Sequence, residues 1–144
     1  GHPTFPSRGF ECPTGVPHLV GVTVIDDEDY LPRPCLWAHP SAAGALTLRF
    51  AKVPLGDTVR GYTGMPWVLA RDGVGGTVEL ELRVAGESLG RAVHPDARAW
   101  VPFSIALARH AGTTADVELV VHQDSAQNRP FCFYADSRWS APPA

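Results

Sequence analysis

A chain of 144 residues, 44% of them hydrophobic, is long enough to bury one core and too short for two comfortable ones. Its 12 basic and 15 acidic side chains are dispersed and give a formal net charge of −3, which excludes the basic stripe of a nucleic-acid binder. No apolar run approaches the ~20 residues of a membrane-spanning helix, and residues 1–10 (GHPTFPSRGF) lack the charged-then-apolar order of a signal peptide, so a mature or trimmed start is expected.

Residues 1–17 hold four prolines, each without an N–H and with a fixed φ, so an irregular arm is predicted there. Residues 19–25 (LVGVTVI) form a β-branched run and a strand, ending in the acidic run 26–29. Residues 30–40 (YLPRPCLWAHP) are extended, because Pro32, Pro34 and Pro40 block a helix. Residues 45–53 alternate, with Leu46, Leu48 and Phe50 on one face and Thr47, Arg49 and Ala51 on the other, as in a half-buried antiparallel strand. A turn leads into 58–65 (TVRGYTGM), where Gly61 and Gly64 mark a bulge or a close backbone approach. Residues 67–70 are a short apolar piece closed by the turn Arg71, Asp72, Gly73.

The alternation is clearest over 77–84, with Val78, Leu80, Leu82 and Val84 inward and Thr77, Glu79, Glu81 and Arg83 outward. A turn at 85–87 joins it to a hairpin partner at 88–93, and His94, Pro95 and Asp96 form the next turn. Val101, Phe103, Ile105 and Leu107 alternate again; a helical turn over 106–111 is kept short by Gly112. Val117, Leu119 and Val121 face opposite to Glu118, Val120 and His122, a polar loop spans 123–129, and Phe131 and Phe133 open the last strand. About eight short strands without a helix of normal length predict an all-β antiparallel sandwich over 18–139, with a flexible tail at 140–144.

Three cysteines, Cys12, Cys35 and Cys132, fit one disulfide and one free thiol. Cys12 with Cys35 is the expected pair, because both lie in Pro-rich segments that pack poorly and gain from a covalent tie. Cys35 with Cys132 is the alternative, and three reduced thiols in a cytosolic protein the other. The carboxylates of Asp26, Asp27, Glu28 and Asp29 are oxygen ligands of the kind a structural calcium takes, but EF-hand spacing is absent and a solvated acidic turn is expected. His2, His18, His39, His94, His110 and His122 show no HxH, HxxxH or HExxH spacing; only Cys35 and His39, four apart, suggest a shared metal, and none is expected. Ser104 lacks a GxSxG elbow, and Glu79 with Glu81 on an exposed strand face reads as solubility and register rather than glycoside hydrolysis.

From position 37 to 139 the order WAHP, ALTLRFAKVPLG, RGYTGM, VELELRVAGESL, Trp100, FSIALARHAGTTADVELVV and FCFYADSRW resembles the galactose-binding-like jelly rolls and carbohydrate-binding modules found beside secreted glycoside hydrolases. The resemblance implies a jelly-roll sandwich, an extracytoplasmic setting and a disulfide-permissive compartment; no cofactor is expected, with a structural calcium the alternative. In such folds Gly112 supplies the positive φ of a turn between neighbouring strands.

Sugars are held by aromatic faces against their C–H surfaces and by charged or amide side chains at their hydroxyls. Trp67, Arg71 and Asp72 fall at one turn, with Tyr62 and Trp100 able to approach them, and make the candidate saccharide site; the alternative is that Trp67 and Trp100 cap the core. Arg129, Arg138 and Trp139 form a second group. The chain is therefore expected to be a non-catalytic binding module for carbohydrate or a cell-surface glycan, with removal of binding by Trp67→Ala as its mark. A structural or protein-interaction sandwich, contacting a partner through the arm and a sheet edge, is the alternative, and a metal-dependent enzyme a third.

Overall fold

The computed structural model describes residues 8–9, 20–39, 44–72, 77–96, 98–123 and 130–141. Cys12 and most of the 1–17 arm, His2, His18, Pro40, Gly73, the loop residues 124–129 with Arg129, and positions 142–144 lie outside them. The strands are β1 (Arg8–Gly9), β2 (Val20–Asp26), β3 (Pro32–Ala38), β4 (Leu46–Pro54), β5 (Thr58–Gly64), β6 (Val78–Val84), β7 (Glu87–His94), β8 (Trp100–Ala106), β9 (Thr114–Gln123) and β10 (Cys132–Arg138). They form a six-stranded sheet, β1-β2-β3-β10-β5-β8, facing a four-stranded sheet, β4-β9-β6-β7, with every pairing antiparallel. The expected all-β sandwich forms.

Period-two alternation sends one set of side chains between the sheets. From the four-stranded sheet, Val78, Leu80, Leu82, Val84, Val117, Leu119 and Val121 are buried. From the other, the register Val22↔Leu36↔Phe133↔Thr63↔Val101 places one row on the same inner face. His94 ties the layers: its Nδ1 lies 2.9 Å from Thr63 Oγ1, and its Nε2 lies 2.9 Å from the Arg98 carbonyl. A carbonyl only accepts, so Nε2 carries a hydrogen. The β6–β7 turn has positive φ at both Ala85 (49°) and Gly86 (81°), the twist-matching geometry of a two-residue hairpin. Gly112 has φ 73°, as the jelly-roll resemblance implied.

Two local readings change, and the extended reading of 30–40 gains a place in the sheet. Residues 67–72, read as a short apolar piece closed by a turn, form a helix, α1 (Trp67–Asp72). Pro66 stands just before it with a preset φ, and its carbonyl accepts from the Ala70 N–H at 3.2 Å. The proline-bearing segment is an interior strand, β3, which pairs with β2 from Pro32 to Ala38 but with β10 only at Leu36 and Trp37. Pro32 and Pro34 thus sit where β3 has no ladder on its β10 side, so their missing N–H groups cost little there. Finally, the disulfide joins Cys35 to Cys132, with Cα atoms 5.8 Å apart, and not Cys12 to Cys35. Neighbouring antiparallel strands bring these two cysteines within bonding reach across 97 positions of sequence.

Candidate functional site

On the outward side of the six-stranded sheet the same registers collect a different set of residues. Cys132 pairs with Gly64 and Gly64 with Trp100, while Tyr134 pairs with Tyr62 and Tyr62 with Pro102. The disulfide lies at the bottom of this face, with both cysteines buried. Trp100 lies over Gly64: a Cβ there would stand 2.6 Å from indole Cε3 and Cζ3, so only glycine lets the ring settle on the sheet. Tyr62 and Tyr134 are 40% and 41% exposed. Arg33 reaches in from β3, its Cζ 5.3 Å from the Tyr62 ring centroid and 5.8 Å from that of Trp100. Since β10 lies between β3 and β5, Arg33 leans across it toward the two rings, and these side chains together form the trough.

What aims Arg33 is Asp27, buried at 3% exposure in the turn between β2 and β3. Its Oδ1 accepts from the N–H groups of Asp29 and Leu31, both at 2.9 Å, and its Oδ2 accepts from Arg33 Nε at 2.8 Å. The Leu31 N–H, then Arg33 and the Asp29 N–H, hold this carboxyl below the usual range against the opposing effect of burial. The acidic run is thus an anchor rather than a solvated turn at Asp27, whose oxygens are committed to protein donors. With Nε engaged, the Nη1 and Nη2 hydrogens of Arg33 meet no hydrogen-bond acceptor among the described residues. At the rim, Asp136 Oδ2 accepts from Arg138 Nε at 2.6 Å and from the Tyr134 hydroxyl at 3.1 Å, and Arg60 Nε stands 4.0 Å from Oδ1. Burial raises the Asp136 carboxyl, but the Arg138 and Tyr134 bonds outweigh it and leave it below its ordinary value.

Of the five sequence candidates, Tyr62 and Trp100 come together in the trough. Trp67, Arg71 and Asp72 lie on α1, where Arg71 Nε donates to Asp72 Oδ1 at 2.7 Å and the pair serves itself. That bond, with the charge of Arg71, lowers the Asp72 carboxyl, and Tyr30 is near enough to help keep Arg71 charged. Arg138 belongs to the rim of the trough, whereas Trp139 packs over Gly112. Arg33 and Tyr134 were not singled out by sequence, and Asp27 was named only within the acidic run; the available signal was Arg33 alternating in phase with Cys35 inside PRPC.

The other chemistries fare differently. Cys35 is taken by the disulfide, so the Cys35–His39 metal pair does not form, and no cluster of three or more metal-ligating side chains occurs among the described residues. Glu79 is ion-paired with Arg91 at 2.6 Å and Glu81 with Arg83 at 2.8 Å, and Glu81 is hydrogen-bonded with His122 Nε2 at 2.6 Å. Glu81, expected to be exposed, is only 2% exposed beneath these partners. Ser104 Oγ lies 3.0 Å from Thr58 Oγ1 within the β5–β8 ladder.

No family model matches the chain, and no curated protein matches it by sequence. Solved structures do. The Clostridium perfringens ZmpB catalytic domain with its carbohydrate-binding modules CBM51-1 and CBM51-2 matches over 90% of this chain at 16% identity and TM-score 0.54. Its CBM51-2 with the INT domain matches at 13% identity and TM-score 0.51. CBM27-1 of Caldicellulosiruptor saccharolyticus, solved with mannohexaose, matches over 81% at 12% identity and TM-score 0.56. The present chain spans 12% and 27% of the two Clostridium chains and 79% of the Caldicellulosiruptor one. The fold is therefore the jelly roll of carbohydrate-binding modules, as the order of strands implied.

Proposed function

We propose that this chain is a non-catalytic carbohydrate-binding module that acts outside the cytoplasm and takes a glycan in the Arg33–Tyr62–Trp100 trough. The observation that carries the reading is Arg33, fixed by buried Asp27, with unspent donors beside two ring faces over a rigid disulfide floor. Those are the parts a shallow sugar site needs: C–H stacking surfaces and preset hydrogen-bond donors that lose little freedom on binding. The disulfide and the absence, among the described residues, of a helix long and apolar enough to cross a membrane are compatible with an exported domain. The carbohydrate-binding modules of like fold support the class of ligand by analogy of fold.

Glycan-array binding followed by affinity electrophoresis tests it. Tyr62→Ala and Trp100→Ala should each abolish retention while melting as cooperatively as the parent, and Trp67→Ala should leave retention unchanged. If no glycan is retained, the module reading fails and a protein-interaction sandwich takes its place. Loss of binding in Trp67→Ala alone would move the site to α1.

A further inference from the structure

Resting on that reading, the donors and acceptors of the trough indicate which kind of sugar it holds. A neutral sugar hydroxyl both donates and accepts, so it is best met by donors and acceptors side by side. Here the donors are in excess. Arg33 keeps its Nη1 and Nη2 hydrogens unspent among the described residues. Asp27 is committed to two backbone N–H groups and Arg33, and Asp136 Oδ2 to Arg138 and Tyr134; Asp136 Oδ1 has no hydrogen-bond partner among the described residues but is buried, so a ligand on the surface does not reach it. Arg33, Arg60 and Arg138 thus stand against Asp27 and Asp136, an excess of one positive charge on a chain of net charge −3. Arg33 is also the least exposed of the three, its side chain 36% exposed against 53% for each of the others, so a ligand meets it partly desolvated.

We infer that the trough takes a saccharide bearing a carboxylate, a uronate or a sialate, with that carboxylate on the outward edge of the Arg33 guanidinium and the sugar's C–H face against Tyr62 or Trp100. A carboxylate only accepts, and its two coplanar oxygens match the paired Nη hydrogens. The aromatic rings that the guanidinium lies over supply the neutral part of the contact.

The test titrates the full chain by calorimetry with uronate- and sialate-bearing oligosaccharides, their carboxyl-reduced forms, and a sulfated counterpart of the same backbone. Expected is binding to a carboxylated sugar that weakens ~10–100-fold on carboxyl reduction, the range of one charge-assisted hydrogen-bonded pair. It should also weaken as salt rises. Arg33→Lys, which keeps the charge but loses the fork, should bind about tenfold less tightly. Carboxyl reduction leaves the protein untouched, so its result holds even where a variant folds poorly. Equal affinity for carboxylated and reduced sugars, or a sulfated sugar bound as tightly, would overturn the carboxylate assignment and leave the carbohydrate module standing. No binding to any of these or to the neutral glycans of the array would overturn both.

Discussion

Arg33 and Asp27 show how a binding face is set partly by a residue beneath it, since buried Asp27 aims the side chain that meets the ligand. The Asp27 carboxylate stays ionised because a backbone N–H, a second one and a guanidinium all favour its charged form. It therefore acts as a fixed support for Arg33. Trp100 depends in the same way on the absence of a side chain at Gly64. Gly64→Ala would drive a methyl into the indole, so the ring must tilt off the sheet. We expect at least a tenfold loss of glycan affinity, with a fall in melting temperature of a few degrees at most, since Trp100 is a partly exposed residue whose displacement opens no core cavity. Unchanged affinity in Gly64→Ala would show that the indole face is not used. Tyr62 and Trp100 were named from sequence as aromatics able to approach the turn at Trp67 to Asp72. Arg33 was not, because its importance comes from a carboxylate six positions earlier and from rings on two other strands.

Among the elements, β3 and β10 form a short lateral join inside the six-stranded sheet, with two register pairs where β5 and β10 have seven. The Cys35–Cys132 bond lies at that join and holds the two halves of the sheet together beneath the trough. For a loop closed across 97 positions, the chain-entropy account gives roughly 4–5 kcal/mol. Cys132→Ser, or reduction, should therefore lower the urea midpoint markedly. By count, one of the three cysteines then remains unbridged, and alkylation of the unfolded, unreduced chain should label Cys12 alone. Two or three labelled thiols would contradict the pairing. Sequence placed Cys35 in a bridge but chose the nearer partner, because closeness along the chain is a poor guide once strands far apart in sequence become neighbours.

For the molecule as a whole, the carboxylates set the response to acid. Glu81 has its carboxyl lowered from an ordinary 4.5 to about 2, chiefly by the Arg83 hydrogen bond, against burial and with help from His122. A folded-state value below the unfolded one means that the stabilisation is complete above pH ~4.5 and is lost as pH falls toward 2. The amount is on the order of 3 kcal/mol. Thermal melts from pH 6 down to 2 should show the melting temperature dropping through this window, and Glu81→Gln should flatten part of the slope. An unchanged slope in that variant would place the acid sensitivity in Asp27, Glu87 or Asp136, whose carboxyls are lowered as well.

Period-two alternation and turn chemistry determined, from sequence alone, that this chain is a two-layer β-sandwich with β6, β8 and β9 facing inward as observed. Alternation is a local property, and burial follows from it directly. The sheet order, the partner of Cys35, the burial of outward-facing Glu81 and the meeting of Arg33 with Tyr62 and Trp100 were decided only by the tertiary structure. Each depends on which strands become neighbours across long stretches of chain, and that is settled by packing the whole core rather than by any one segment.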